Sequence, residues 1–370
     1  MKMQQNLLSL VAASLLSSTV LAQDIKLPCD DVVDKALAET APAEVKSITA
    51  FTPAKTLTRV DPKYPVSAAR KGHEGWVKMS YVIDEQGNVQ DPIVEDHGGN
   101  KAFKQKALTA LKKWTFEPAM KDGKPTQQCH QGVQFDFTMG GQTGASRQFI
   151  SLYRDFQEFI GSGDIQAAET ILERMHARTN TNRYENAWLY SADARLASEL
   201  DDPKRELKSL GRALASSNSH SVKENSFKPA FIAYVHQRIF ILNASFAYYA
   251  RALESAEKLE NMEGGEERYE QIKDSIEIVR NHITSKENIF VSISLEDDEQ
   301  HFHTLARNKF AFVDIEGELE TVEVRCESHR EKFTVAESYI WNIPDAWGQC
   351  RVLMEGQQGT AFSLVEVAQS

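Results

Sequence analysis

The sequence lacks the common signatures of catalysis and of metal binding: it contains neither a GxSxG nor an HExxH pattern, and it has no CxxC or HxxxH spacing. These patterns carry the serine nucleophile elbow, the zincin helix and the usual zinc sites. The formal net charge of −11 disfavours nucleic acid as a partner, because phosphates require a basic surface. We therefore expect no enzyme, no cofactor, no metal, no nucleic-acid partner and no small-molecule substrate.

No apolar run beyond residue 22 is long enough to cross a membrane. The chain begins with Met1-Lys2, continues with a mostly apolar run over residues 6–22, and reaches small residues at Val20-Leu21-Ala22. This order is typical of a secretory signal peptide cleaved near Ala22, which predicts export to the periplasm. The alternative is that residues 6–22 remain as an inner-membrane anchor.

Cysteine is scarce, with four residues in 370. An even set in an exported protein favours disulfides, although four cysteines allow three connectivities. The expected domain division favours one bond between Cys326 and Cys350 and a second between Cys29 and Cys129.

Residues 77–94 alternate between apolar and polar positions and are interrupted at Asp84–Asn88, which predicts a β-hairpin. From residue 103 to 114, apolar residues recur at helical spacing with lysines between them, which predicts an amphipathic helix on that hairpin. Alternation returns over residues 132–137 and predicts a third strand. The apolar positions of the three segments are Val77, Met79, Tyr81, Ile83, Phe103, Ala107, Leu108, Leu111, Trp114, Val133, Phe135 and Phe137.

Taken in order, these residues resemble the C-terminal domain of the TonB family, the periplasmic end of energy transducers that contact outer-membrane transporters. No single one of these features is specific to the family, whereas the whole set in this order is. The features are Tyr64-Pro65, Gly72, Glu74-Gly75-Trp76-Val77, Asp84 with Gly87 and Val89, Phe103, Ala107, Leu108, Lys113-Trp114, Phe116-Glu117-Pro118, Gly123 and Phe135.

The resemblance implies two partner-binding segments. The TonB-box segment of a transporter is expected to lie along the last strand, and the stretch after the Tyr-Pro pair is expected to contact the plug region. An unpaired edge strand exposes N–H and C=O groups that an extended peptide can satisfy by strand addition. The expected residues are Gly132, Val133, Gln134, Phe135, Asp136, Phe137 and Thr138 on the strand, and Val66, Ser67, Ala68, Ala69 and Arg70 after the Tyr-Pro pair.

Transducers of this family carry a long proline-rich spacer, but residues 41–58 contain only Pro42 and Pro53. The favoured hypothesis is therefore a soluble periplasmic protein, accessory to TonB-dependent transport, that binds an outer-membrane transporter or another envelope protein. One alternative is an anchored energy transducer with an uncleaved leader. The other is a structural module that forms a homodimer through its edge strand. Residues 23–56 could also cap that strand through the Cys29–Cys129 bond.

The glycine-rich segment 140–147 predicts a linker. After it, residues 148–287 follow a helical period, with turns at Gly161–Asp164 and Asp201–Pro203, which indicates helical hairpins that weakly resemble tetratricopeptide repeats. An irregular helical bundle explains the same periodicity.

Beyond Asn288 the alternating pattern returns, which predicts a β-sandwich pinned by the Cys326–Cys350 disulfide. Trp341 and Trp347 are expected to pack over this disulfide, and the alternative is an exposed pair that binds a partner. His301 and His303 are expected to be solvated.

The sequence thus predicts an α+β multidomain chain with an αβ module, a helical repeat region and a small all-β domain. The expected boundaries are 1–22 for the signal peptide, 23–56 for an N-terminal extension, 57–139 for the TonB-like module, 140–147 for the linker, 148–287 for the helical domain and 288–370 for the β domain.

Overall fold

The computed structural model describes residues 51–140, 144–178, 180–217, 226–295, 299–335 and 339–368. The predicted signal peptide, Cys29 and most of the predicted N-terminal extension lie outside these residues. Within them, no helix is both long enough and apolar enough to span a bilayer.

The first module contains a three-stranded antiparallel sheet in the order β4-β3-β8, with a helix on one face. Two smaller sheets, β2-β5 and β1-β6-β7, flank it. The elements are β1 (Phe51–Thr52), β2 (Lys55–Thr58), α1 (Val66–Arg70), β3 (Gly75–Ile83), β4 (Val89–Gly98), α2 (Ala102–Leu111), β5 (Thr115–Glu117), β6 (Ala119–Lys121), β7 (Lys124–Thr126) and β8 (Gln128–Phe137).

The predicted hairpin is present as β3 and β4, and its turn has a clear local cause. The Asp84 carboxylate accepts hydrogen bonds from the backbone N–H groups of Gln86 and Asn88 at 3.0 and 2.7 Å. Gly87 has φ +82°, and a Cβ there would lie 1.9 Å from the Phe116 carbonyl oxygen. A side chain at this position is therefore excluded both by conformation and by space.

The predicted helix is shorter than expected, because α2 ends at Leu111 and Trp114 follows it as a core residue. The short strands β5, β6 and β7 were not predicted. The described end of the predicted N-terminal extension forms β1 and part of β2, which pair with β6 and β5 rather than with β8. This part of the extension forms no strand beside β8, although the Ala54 N–H donates to the side-chain oxygen of Gln128 at 2.7 Å.

The helical region has seven described helices, and each contacts the next one along the chain. Asp164 and Asn182 accept N-cap hydrogen bonds at the starts of α4 and α5. The helices are α3 (Arg147–Ser162), α4 (Ile165–His176), α5 (Arg183–Glu199), α6 (Pro203–Ser217), α7 (Pro229–Ser245), α8 (Tyr249–Glu260) and α9 (Glu266–Thr284).

The C-terminal part forms two four-stranded antiparallel sheets, in the orders β10-β15-β12-β13 and β14-β11-β16-β9, around one apolar core. The strands are β9 (Ile289–Ser294), β10 (Gln300–Thr304), β11 (Lys309–Glu316), β12 (Leu319–Cys326), β13 (Arg330–Thr334), β14 (Trp341–Asn342), β15 (Cys350–Gly356) and β16 (Ala361–Glu366).

The predicted Cys326–Cys350 disulfide is present, but it joins the directly opposed residues of neighbouring strands β12 and β15. It therefore staples one sheet rather than pinning two sheets together. Both cysteines lie in the same sheet because β12 and β15 are neighbouring strands of it.

The expectation of solvated histidines is wrong. His303 is buried, and its Nε2 lies 2.8 Å from a carboxylate oxygen of the fully buried Glu366. His301 is half-buried, and its ring faces Tyr248. The alternation of β10 places both rings on its inner side, where the Tyr248 ring from the helical region covers them. Trp341 is buried in the core and Trp347 is partly buried against it, so the two do not form an exposed pair.

Candidate partner-binding edge

Strand β8 lies at one edge of the central sheet. It pairs antiparallel with β3 from Gln128 to Phe137, with Phe135 opposite Val77 and Val133 opposite Met79. Among the described residues, no strand pairs with its outer side. The position of β8 therefore satisfies the first requirement for strand addition.

Alternate side chains of β8 point to opposite faces of the sheet. Phe135 and Phe137 are buried in the core of the module, where Phe137 stacks on Phe103 at a centroid distance of 4.2 Å. Gln134 and Asp136 point the other way, toward the helical region. Gly132 is exposed, whereas Val133 and Thr138 are half-buried. Of the predicted strand residues, Phe135 and Phe137 can offer a partner only their backbone.

Arg183, at the start of α5, joins β8 to the helical region. Its guanidinium is buried and forms an ion pair with the Asp136 carboxylate. It also donates to the last carbonyls of α6, at 2.7 Å to Ala215 and 3.1 Å to Ser216. A cation is favourable at a helix C-terminus because the last carbonyl groups have no partner within the helix.

Glu74 contributes to the same contact between β8 and the helical region. One carboxylate oxygen accepts the backbone N–H of Met139, directly after β8, at 2.7 Å. The other accepts the N–H of Arg183 at 3.0 Å. The indole N–H of Trp76 donates to the Ser216 hydroxyl at 2.8 Å. The face of the sheet opposite α2 is thus held against α5 and α6.

The beginning of β8 meets the C-terminal sheets. The backbone N–H of Cys129 donates to the Glu327 carbonyl at 3.4 Å. The Cys129 side chain is buried and has no disulfide partner among the described residues. Burial raises the pKa of its thiol to about 12, so the thiol is protonated at neutral pH. The predicted bond from Cys129 to Cys29 lies outside the described residues.

The other edge of the sheet, β4, is flanked by arginines from both neighbouring regions. Asp96 makes a bidentate pair with Arg212 of α6, with its closest contact at 2.8 Å. Glu95 lies 2.6 Å from Arg351 of β15. Burial opposes ionisation of Glu95, but the charge and hydrogen bond of Arg351, together with the charges of Arg251 and Lys78, outweigh it and hold the pKa of that carboxyl below its usual value.

Asp91 of β4 pairs with Arg330 of β13 at 2.5 Å. Its backbone carbonyl also accepts a hydrogen bond from Arg325 at 3.4 Å. The two added regions therefore contact β4 at Asp91, Glu95 and Asp96.

The second predicted segment coincides with α1, and the helix divides it. Val66, at 65% exposure, lies on its outer side together with Ser67 and Arg70, while Ala69 is half-buried. Ala68 is fully buried against the core of the module. A partner could therefore contact the first two residues and Arg70, but not the Ala68 side chain.

Sequence reasoning missed Arg183, Glu74 as a junction residue and Glu327. Each acts through a contact with a residue remote in sequence, and nothing in its neighbourhood marks that contact. The N-cap residue Asn182 fixes where α5 begins and was the only local signal near Arg183. No group of three or more metal-ligating side chains occurs in the described part of the chain.

Comparison with known proteins locates the similarity in the first module. Residues 60–139 match the family model described as Gram-negative bacterial TonB protein C-terminal. Protein TonB of Vibrio cholerae is 36% identical over 84 residues, which cover 22% of this chain and 34% of that protein. Protein TonB of Yersinia enterocolitica is 34% identical over 75 residues, 20% of this chain and 29% of that protein. The chain thus spans about a third of the length of these relatives.

Two solved structures are also similar. The solution structure of the Pseudomonas aeruginosa TonB C-terminal domain has 26% identity and a TM-score of 0.21, with coverage of 25% of this chain and 91% of that one. The TonB2 protein from Vibrio anguillarum has 28% identity and a TM-score of 0.21, with coverage of 35% and 100%.

Proteins of the TonB family are energy transducers and not enzymes, which agrees with the expectation from the sequence. The family match ends at residue 139, before the helical region begins. By the family match and by the sequence relatives, residues 60–139 of this chain are a TonB C-terminal domain.

Proposed function

We propose that this chain is a soluble periplasmic protein that acts in TonB-dependent transport by binding an extended segment of an outer-membrane receptor along β8. TonB family proteins act in the cell envelope and interact with outer-membrane TonB-dependent receptors, and the family match supports the same partner class here. The observation that carries the proposal is the position of β8, whose outer side has no strand partner among the described residues.

The physical basis is the backbone of an edge strand. A foreign strand supplies N–H and C=O groups to the outer side of β8, and each hydrogen bond contributes about 1 kcal/mol net. Gly132 offers little steric hindrance to an approaching chain, because it has no side chain and is exposed. The stiff contacts of Arg183 and Glu74 hold β8 in place before the partner arrives, which lowers the cost of ordering it.

The outer side of α1 supports a second contact. Val66 is a large apolar side chain that the fold leaves exposed, and it precedes β3 in the same module as β8. We assign Val66, Ser67 and Arg70 to contact with the folded part of the receptor, while β8 takes its extended segment.

The test is a titration of the full chain with a synthetic TonB-box peptide, followed through the amide resonances of β8. The expected result is a saturable shift at Gly132, Val133 and Phe135, with no shift from a peptide of the same composition in scrambled order. Absence of any saturable shift at millimolar peptide rejects the proposal. Sedimentation over a range of chain concentrations separates peptide binding from self-association through the same edge.

A further inference from the structure

No described strand pairs with the outer side of β8, but the first residues of this strand already have a backbone partner there. The pairing with β3 changes register between Tyr81 and Ile83, and Cys129 falls in the resulting bulge. There its N–H turns away from the β3 ladder and donates to the Glu327 carbonyl at 3.4 Å. The Glu327 carbonyl of the same chain is therefore already the partner of β8 at its first residues.

The turn that provides this carbonyl is fixed from within its own domain. It follows Cys326, which is held by the disulfide to Cys350, and the Cys326 N–H donates to the His329 carbonyl at 2.8 Å. The His329 ring stacks on Trp347 at a centroid distance of 3.7 Å. The Ser328 N–H also donates to the Trp347 carbonyl at 3.4 Å. We name residues 326–330 the β12–β13 turn.

The same turn is anchored on the TonB C-terminal domain at a second point. Arg330, its last residue, pairs with Asp91 of β4 at 2.5 Å and with the buried Glu323 at 2.5 Å. Contacts on two strands of one sheet prevent the turn from swinging away while either contact remains. The β12–β13 turn is therefore a fixed neighbour of β8.

We infer that the β12–β13 turn is an end stop for the bound segment. This inference rests on the proposed function, because it describes the length of chain that the β8 edge accepts. A foreign strand can pair beside Gly132 and Val133, but it cannot continue past Cys129, where the Glu327 backbone stands in its path.

The partner class follows from this limit. A short extended segment that leaves the sheet after a few residues fits the edge. A long continuous strand would have to displace the turn together with its disulfide and its Arg330 ion pairs. The chemistry selects a flexible, unpaired stretch of an envelope protein, and it disfavours the edge of a preformed sheet.

The experiment uses the full chain and three TonB-box peptides: a heptapeptide, and the same peptide lengthened by four threonines at either end. We expect the lengthened peptides to bind within twofold of the heptapeptide. Amide exchange in β8 should slow at least tenfold near Val133, while the Cys129 amide, already protected in the free chain, should not change.

Trp347→Ala tests the stop directly, because it removes the ring that holds His329. In this variant we expect Cys129 amide exchange to rise at least fivefold in the free chain, and one lengthened peptide to bind at least fivefold tighter than the heptapeptide. Phe290→Ala, an exposed aromatic substitution elsewhere in the same domain, is the matched control and should behave as the unmodified chain.

The outcomes separate the two proposals. A lengthened peptide that binds the unmodified chain more tightly and changes Cys129 exchange overturns the end stop, while strand addition itself stands. Failure of every peptide to protect any β8 amide rejects strand addition, and the end stop with it. The comparison in the unmodified chain decides the matter even if Trp347→Ala does not fold.

Discussion

The two edges of the central sheet, β4 and β8, are treated differently by the rest of the chain. Along β4, Asp91, Glu95 and Asp96 each pair with an arginine from the helical region or from the C-terminal sheets. Along β8, the described contacts include a backbone bond at Cys129, the Asp136 ion pair and a hydrogen bond from the Gln134 amide to the Ala215 carbonyl, and Gly132 is exposed. Neither edge has a second strand partner among the described residues, but β4 carries three ion pairs to other regions, whereas β8 has a backbone contact at its start.

Regions that follow a small sheet in the chain can thus place different contacts on its two edges. Exposed edge strands invite pairing with other chains, and natural proteins cover or charge the edges that must stay unpaired. Here the carboxylates of β4 recruit arginines that bring two further regions against it. In the proposed function, a partner that adds a strand is thereby directed to β8, and substitutions that remove contacts of the two edges test this difference.

The largest effect is expected from Arg183→Ala. It leaves the buried Asp136 carboxylate and the last carbonyls of α6 without their cation, which costs about 3 to 5 kcal/mol. Urea unfolding should show this loss, and β8 amides should exchange faster. Arg195→Ala, in an exposed pair with Glu199, is the control and should change stability by less than about 0.5 kcal/mol. A loss below about 1 kcal/mol for Arg183→Ala contradicts its role at the junction.

Next in size is removal of the disulfide by the double substitution Cys326→Ala and Cys350→Ala. The bond closes a loop with a sequence separation of 24, and chain entropy gives a loss of roughly 3 to 4 kcal/mol. Differential scanning calorimetry should show a lower Tm for the C-terminal sheets. Faster exchange at Cys129 should accompany it, since the β12–β13 turn follows Cys326. An unchanged Tm indicates that the bond adds nothing to this domain.

A smaller effect is expected from Glu95→Gln, which removes one of the three ion pairs along β4. Arg351 is left without its carboxylate, which costs about 1.5 to 3 kcal/mol at pH 7. Because the folded pKa of Glu95 lies below its usual value, the wild-type advantage is complete above about pH 4.3 and is lost as pH falls through the folded pKa.

Urea unfolding of the two chains between pH 7 and pH 2 measures this advantage. Glu270→Gln, in an exposed pair with Lys273, is the control and should differ little at any pH. An advantage for Glu95 that grows toward acid pH has the wrong sign for this account.

The smallest effect on stability is expected from Val66→Ser. The side chain is exposed, so the free energy of unfolding should change by less than about 0.5 kcal/mol. Binding of a TonB-box peptide should stay within twofold, whereas binding of a whole receptor should weaken, because the peptide lacks the folded part assigned to α1. Equal weakening for both ligands argues that α1 contributes to the β8 edge itself.

The elements of the TonB C-terminal domain could be predicted because their causes are local. Alternation gave β3, β4 and β8, helical spacing gave α2, and the Asp84 turn joins the hairpin through hydrogen bonds within a few residues. The short strands β5, β6 and β7 could not be predicted, because each is three residues long and is defined by its partner.

The surroundings of the site could not be predicted, because they depend on contacts between regions. Asp136 and Arg183 are 47 positions apart, and the Cys129 N–H meets a carbonyl almost two hundred residues later. The same limit explains His303, whose partner Glu366 comes from β16. The pattern within a segment identifies strands and helices, whereas the contacts along each edge of the sheet depend on tertiary packing.

The most direct test of strand addition is an N-methyl scan of the TonB-box peptide against the full chain. Methylation removes one backbone donor at a time, and successive N–H groups of an extended strand point to opposite sides. We predict that the effect alternates along the peptide. Every second methyl group should lower the affinity about tenfold, which corresponds to the loss of one hydrogen bond. Affinity that falls equally at all positions, or at none, contradicts pairing with the backbone of β8.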